Sequence, residues 1–91
     1  MTARGFRVDL APAAARQLRK LPPGSAAALR GPILALAIEP RPRGAAKLEQ
    51  SAFWRLRVGD VRVIYAIDDT KRVVVVLRVA RRSESTYRQV R

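Results

Sequence analysis

Arg55, Arg57 and Arg62 crowd around the dipeptide Gly59-Asp60, close enough in sequence to act on one ligand. A guanidinium is a planar fork that binds phosphate or carboxylate through two parallel hydrogen bonds and stacks on bases, and it keeps its proton at any ordinary pH. The chemistry open to such a cluster is therefore the holding and stabilising of negative charge. Gly59-Asp60 fits a two-residue β-hairpin turn with glycine at the first central position, which fixes a register. Counting outward, Val58 pairs with Val61, Arg57 with Arg62, Leu56 with Val63, Arg55 with Ile64 and Trp54 with Tyr65. Side chains alternate across a strand, so Trp54, Leu56, Val58, Val61, Val63 and Tyr65 form an apolar face while Arg55, Arg57 and Arg62 share the other. The simplest account of that second face is a solvated surface with splayed side chains. Two arginines directly opposed across strands nevertheless weaken a sheet by a few tenths of a kcal/mol up to about 1 kcal/mol. A phosphate-bearing ligand would relieve that repulsion through charge-assisted hydrogen bonds.

More cations follow downstream. Arg78, Arg81 and Arg82 lie at the end of the last apolar run, and Tyr87 and Arg88 lie in the tail, so a phenol and further guanidinium groups converge on the same edge. Whether Arg81 or Arg82 joins the arginine face depends on the hairpin through Asp68-Asp69-Thr70-Lys71, for which loops of four and five residues both remain open. Histidine and cysteine are absent, which excludes disulfides, thiolate metal sites, cysteine nucleophiles and imidazole acid-base catalysis together.

The elements that must position these groups are few. A chain of 91 residues is about one small domain, 1–91, and its apolar content of 48% must serve one shared core. Lys and Arg number 19 against 7 Asp and Glu, a formal net charge of +12 that repels itself in a compact state unless an acidic partner uses it. RNA is the first expectation for that partner. The longest apolar run, around Val73 to Val76, falls far short of the ~20 residues that a membrane span needs, and the N-terminus lacks a signal-like apolar stretch, so cytoplasm is the expected location.

Phe6 to Leu10 alternates apolar and polar residues and is expected as a strand. Pro12 suits the first turn of a helix carrying Ala14, Leu18 and Leu21, which Pro22-Pro23-Gly24 should end. After Ser25 as N-cap, a second helix carries Leu29, Ile33, Leu36 and Ala37 and stops at Glu39-Pro40, with Gly31-Pro32 either kinking or restarting it. The proline- and glycine-rich stretch 40–44 should be irregular. From Phe53 on, three strands are expected: Phe53 to Val58, Val61 to Ile67 and Arg72 to Val79. The fold class is α+β: an N-terminal strand, a two-helix hairpin packed on an antiparallel sheet of about four strands, and a short C-terminal segment.

Nearly the whole sequence resembles the RelE/ParE superfamily of bacterial toxin-antitoxin toxins. The resemblance runs from Leu10-Ala11-Pro12-Ala13-Ala14 and Leu18-Arg19-Lys20-Leu21-Pro22 through Pro40-Arg41-Pro42, Gly44 and Lys47-Leu48. It is most specific over Trp54 to Tyr65 and ends with Val79 to Arg88. It implies a ribosome-dependent mRNA endonuclease that uses the RNA 2′-hydroxyl as nucleophile, needs no metal or other cofactor, and is silenced by an acidic antitoxin protein. By the same resemblance the catalytic roles fall to Arg55, Arg57, Arg62, Arg82 and Tyr87, with Arg78, Arg81, Arg88 and Lys47 as RNA-binding residues. RelE itself has lysines where Arg55 and Arg57 stand, and arginine cannot serve as a base, so Tyr87 is left as the proton-transfer candidate. Its unperturbed pKa of about 10 would be lowered by adjacent guanidinium groups, which favour the phenolate. The alternative within the superfamily is a ParE-like toxin that binds and poisons DNA gyrase without cutting nucleic acid.

Overall fold

The computed structural model describes residues 5–81. The C-terminal segment, with Arg82, Tyr87 and Arg88, lies outside the described residues. The chain runs β1 (Arg7–Leu10), α1 (Pro12–Lys20), α2 (Pro23–Ala35), β2 (Ala46–Lys47), β3 (Phe53–Val58), β4 (Val61–Asp68) and β5 (Val73–Arg81). The five strands form one sheet in the order β1-β5-β4-β3-β2. Strands β3, β4 and β5 are antiparallel neighbours, as expected, β2 joins β3 antiparallel, and β1 adds to β5 in parallel, which makes the sheet mixed. Two helices and three strands separate β1 from β5, so no turn sets that pairing. Local sequence therefore carries no sign of its direction. The two-residue β2 was likewise not expected, because a bridge that short has no periodicity to read.

Helix α1 opens on Pro12 and carries Arg19 and Lys20 in its last turn, where their charge complements the helix dipole. Pro22-Pro23-Gly24 ends α1 but does not form a loop. Pro22 is extended and Pro23 occupies the first turn of α2, whose missing N–H costs nothing there. The N-cap is thus Pro22 rather than Ser25, and Pro32 lies inside a continuous helix. The helix stops at Ala35, short of Glu39, and continues as a turn in which Leu36, Ala37 and Ile38 each donate to the carbonyl three residues earlier.

The helices cover one face of the sheet. Ala14, Leu29, Ile33 and Leu36 pack against Leu56, Val61, Val63, Tyr65, Val74, Val76 and Val79. Tyr65 is fully buried in this core, and its hydroxyl donates to the Pro40 carbonyl at 2.7 Å, tying the stretch after α2 to the middle of the sheet. Burial pushes the Tyr65 pKa up to about 12. Arg41 fastens the same stretch from outside: its two terminal nitrogens donate to the two Asp69 carboxylate oxygens at 3.2 and 2.8 Å, and its guanidinium lies 5.4 Å from the centre of the Trp54 ring. The pair holds the Asp69 carboxyl below the usual carboxylate range.

Candidate nucleic-acid interface

The β3–β4 hairpin has the register expected from its turn, with Arg57 opposite Arg62 and Arg55 opposite Ile64. Gly59 has a φ of +61° and Asp60 is not in the left-handed region, the pattern of a type II′ turn. Arg55, Arg57 and Arg62 therefore stand together on the sheet face that the helices leave open.

Strand β5 adds a fourth arginine to that face by an irregularity. Tyr65 pairs with Val76, but Ile64 pairs with Arg78, so Leu77 is an extra residue on β5. Strict alternation from Val74 and Val76 would send Arg78 into the core and Arg81 onto the open face. The bulge reverses both. Val79 becomes buried, Arg78 stands beside Ile64 on the open face, and Arg81 pairs with Val61 at the rim of the helix side. There Arg81 meets the Asp60 carboxylate at 3.5 Å. Beyond Leu10, β1 no longer covers the edge of β5, and the side-chain oxygen of Gln17 on α1 accepts the Val79 N–H at 2.7 Å.

The loop between β4 and β5 comprises residues 69–72, the four-residue alternative, with Arg72 at a φ of +57°. Arg81 is thus not brought to the arginine face. Neither is Lys47, which pairs with Trp54 and so lies on the helix side of the edge, while Ala46 is the β2 residue beside Arg55. Arg82, Tyr87 and Arg88 lie outside the described residues.

The open face consequently has a row structure. Arg57, Arg62 and Ala80 form the row nearest the β3–β4 turn; Ala46, Arg55, Ile64 and Arg78 form the next; Phe53, Ala66, Val75 and Asp9 form the third. Neighbouring strands are about 5 Å apart and successive rows about 7 Å, so the four arginine stems rise from one small patch. Among the described residues no carboxylate meets any of these four. Asp9 is held by Arg7 at 3.1 Å, Asp60 by Arg81 and Asp69 by Arg41. The Nε of Arg62 is buried and has no hydrogen-bond partner among the described residues. A buried unpaired donor costs about 1–3 kcal/mol, so this is where an added acceptor would gain most.

The patch can bind phosphate and stabilise charge, but none of its four arginines can accept a proton. Tyr65 is the phenol of the described sheet and is unsuited to the task, being on the helix side and committed to Pro40. Phe53 is the member of the face that the sequence reading missed. Carrying the hairpin register one pair past Trp54 and Tyr65 would have found it.

Residues 8–86 match the family described as ParE toxin of type II toxin-antitoxin system, parDE. The chain belongs to this toxin family. Its fold is similar to the RelBE toxin-antitoxin complex of Mycobacterium tuberculosis, at 34% identity and a TM-score of 0.75 over 86% of this chain and 99% of that one. It is similar also to the archaeal RelE-RelB complex of Pyrococcus horikoshii, at 29% identity and a TM-score of 0.78 over 92% of this chain and 99% of the other. The intact RelBE complex of E. coli shares the fold at 22% identity and a TM-score of 0.75, over 87% of this chain and 99% of that chain. No curated protein matches the chain. The toxin family is thus reached from two directions, one match by sequence pattern bearing the name ParE and the structural matches bearing the name RelE. Among the described residues no helix is long and apolar enough to cross a membrane.

Proposed function

We propose that this toxin is a ribosome-dependent mRNA endonuclease that blocks translation in the cytoplasm and is neutralised by a cognate acidic antitoxin. The supporting observation is the patch of Arg55, Arg57, Arg62 and Arg78 on one open face, where among the described residues no carboxylate neutralises it and the buried Arg62 Nε has no partner. Four guanidinium groups in two rows suit the phosphates of a single RNA strand, and electrostatic stabilisation of the charge that builds on phosphorus is worth roughly a hundred- to a thousandfold per well-placed donor. In this reading the RNA 2′-hydroxyl attacks the adjacent phosphorus and gives its proton to the Tyr87 phenolate, the bond from phosphorus to the 5′-oxygen breaks to leave a 2′,3′-cyclic phosphate, the departing 5′-oxygen takes a proton from water, and the arginines carry the developing negative charge. The same reading gives Arg82 a catalytic role and Arg88 an RNA-binding one. The ribosome orients the strand, which explains how a site without imidazole is sufficient.

The antitoxin reading is supported by the RelE-RelB complexes to which the fold is similar. An apolar groove on the helix side of the sheet, lined by Val8, Leu10, Leu18, Leu21, Ile33 and Leu34, offers a partner segment a surface away from the arginines. Leu34 is 57% exposed there.

A gyrase poison is the second reading, favoured by the match to the ParE pattern. Expression of the chain in cells separates the two. The nuclease reading expects translation to stop first, with mRNA cut inside coding frames and only when ribosomes are present. DNA breaks accumulating while translation continues would overturn it.

A further inference from the structure

We propose that Phe53 is a stacking platform for a nucleobase, so that the open face binds single-stranded RNA through phosphates on the arginine rows and a base on the third row. The inference rests on the RNA-binding half of the proposed function and adds to it a contact that holds a base. Phe53 is 42% exposed and is not among the residues packed on the core. Directly opposite stands Ala66, whose side chain ends at Cβ and cannot cover a ring, and Val75 lies beyond it in the same row. Packing alone would be served as well by leucine or valine. The aromatic ring thus presents apolar surface to solvent in the row next to Arg55 and Arg78, about 7 Å along the strand, a step that a nucleotide spans between its phosphate and its base.

Charge decides what the occupant is. An apolar peptide laid on Phe53, Ala66 and Val75 could offer the four guanidinium groups backbone carbonyls but no negative charge to balance theirs. A single nucleic-acid strand offers phosphates to the arginines and a flat apolar base to the ring at once, and stacking on an aromatic side chain is tolerant of base identity. Single strands qualify and duplexes do not, because bases stacked within a duplex have no free face to give.

The test uses the full chain and two fluorescein-labelled RNA 8-mers of equal length, one with bases and one abasic, with binding read by anisotropy at low salt. Phe53→Leu should weaken the base-bearing RNA by roughly fivefold to a hundredfold, leave abasic RNA unchanged, and preserve the melting temperature. Phe53→Trp should restore or exceed wild-type binding. Arg57→Ala should weaken both oligonucleotides. Wild-type affinity of Phe53→Leu for the base-bearing RNA, while Arg57→Ala loses both, would overturn the platform and leave the arginine reading standing. An equal loss on both RNAs by Phe53→Leu, unrepaired by tryptophan, would also overturn it. So would a Phe53→Leu protein that keeps RNA and loses the antitoxin, since the shelf would then belong to a protein partner. No binding of either RNA by the wild type would overturn both readings together.

Discussion

Arg62 illustrates a conflict between stability and use at the scale of one residue. Its guanidinium faces Arg57 across the hairpin, and its buried Nε lacks a partner among the described residues. Both features oppose folding, by up to about 1 kcal/mol for the like-charge pair and about 1–3 kcal/mol for the unpaired donor. Arg62→Met keeps the apolar stem and removes both costs. It should raise the thermal midpoint by several degrees, since 1 kcal/mol moves a domain of this size by about 4–8 °C, while mRNA cleavage falls at least a hundredfold. A melting curve and a ribosome cleavage assay on the same preparation check this, and a lowered midpoint would show that Arg62 stabilises the fold. Tyr65 is the contrasting residue, a phenol serving structure alone. Its pKa rises from 10.0 to about 12 because burial disfavours the phenolate. Folding thus favours the neutral form: the contribution is whole below pH 10 and is lost as the pH climbs from 10 toward 12. Thermal midpoints followed across that window should fall for the wild type, and fall less for Tyr65→Phe, which starts about 1 kcal/mol lower for want of the bond to Pro40.

Among the elements, the two hairpins explain what the sequence could and could not reveal. The β3–β4 hairpin was legible because two residues form its turn, and a turn that short admits one register. Arg55, Arg57 and Arg62 on a common face followed from that alone. The β4–β5 hairpin was not legible to the same depth. Loops of four and five residues differ in parity, the extra Leu77 shifts it again, and Val73 to Val76 is apolar on both faces, so no alternation marks where the shift occurs. That is why Arg78 and Arg81 could not be assigned to opposite sides from sequence. The direction of β1 was hidden for another reason, because it depends on packing between segments more than sixty residues apart. The same reasoning yields two expectations. Gly59→Ala forces a β-carbon into a φ of +61° and should cost about 1–2 kcal/mol, seen as a lower denaturant midpoint with an unchanged slope. Deleting Leu77 removes the extra residue, so strict alternation from Val76 leaves Arg78 on the open face and Val79 in the core. The deletion should then still melt cooperatively, and loss of cooperative folding would show that the bend and twist of the bulge are themselves required.

At the scale of the whole molecule, a chain of net charge +12 presents two described surfaces of different character. The arginine rows occupy the open side of the sheet, and the apolar groove between β1, α1 and α2 occupies the helix side. An acidic, partly disordered antitoxin could order itself along the groove while its charge answers the surrounding cations, Arg19 and Arg30 among the groove's own lining. Because the two surfaces lie on opposite sides of the sheet, their effects should be separable by mutation. Leu34→Asp puts a charge on an exposed groove residue that the core does not need, and should weaken antitoxin binding at least tenfold while leaving mRNA cleavage and the melting temperature near wild type. Arg62→Ala combined with Tyr87→Phe should do the reverse, abolishing growth arrest and retaining antitoxin affinity. Salt gives an independent reading of the same division. Each arginine-phosphate contact on a single strand contributes about 0.7 to the slope of log affinity against log salt concentration, so Arg57→Ala should flatten that slope by about this amount and Leu34→Asp should not alter it. If Leu34→Asp changed RNA binding and its salt slope as much as Arg57→Ala does, the two sides of the sheet would be one site, and the antitoxin would act by direct competition for the arginines.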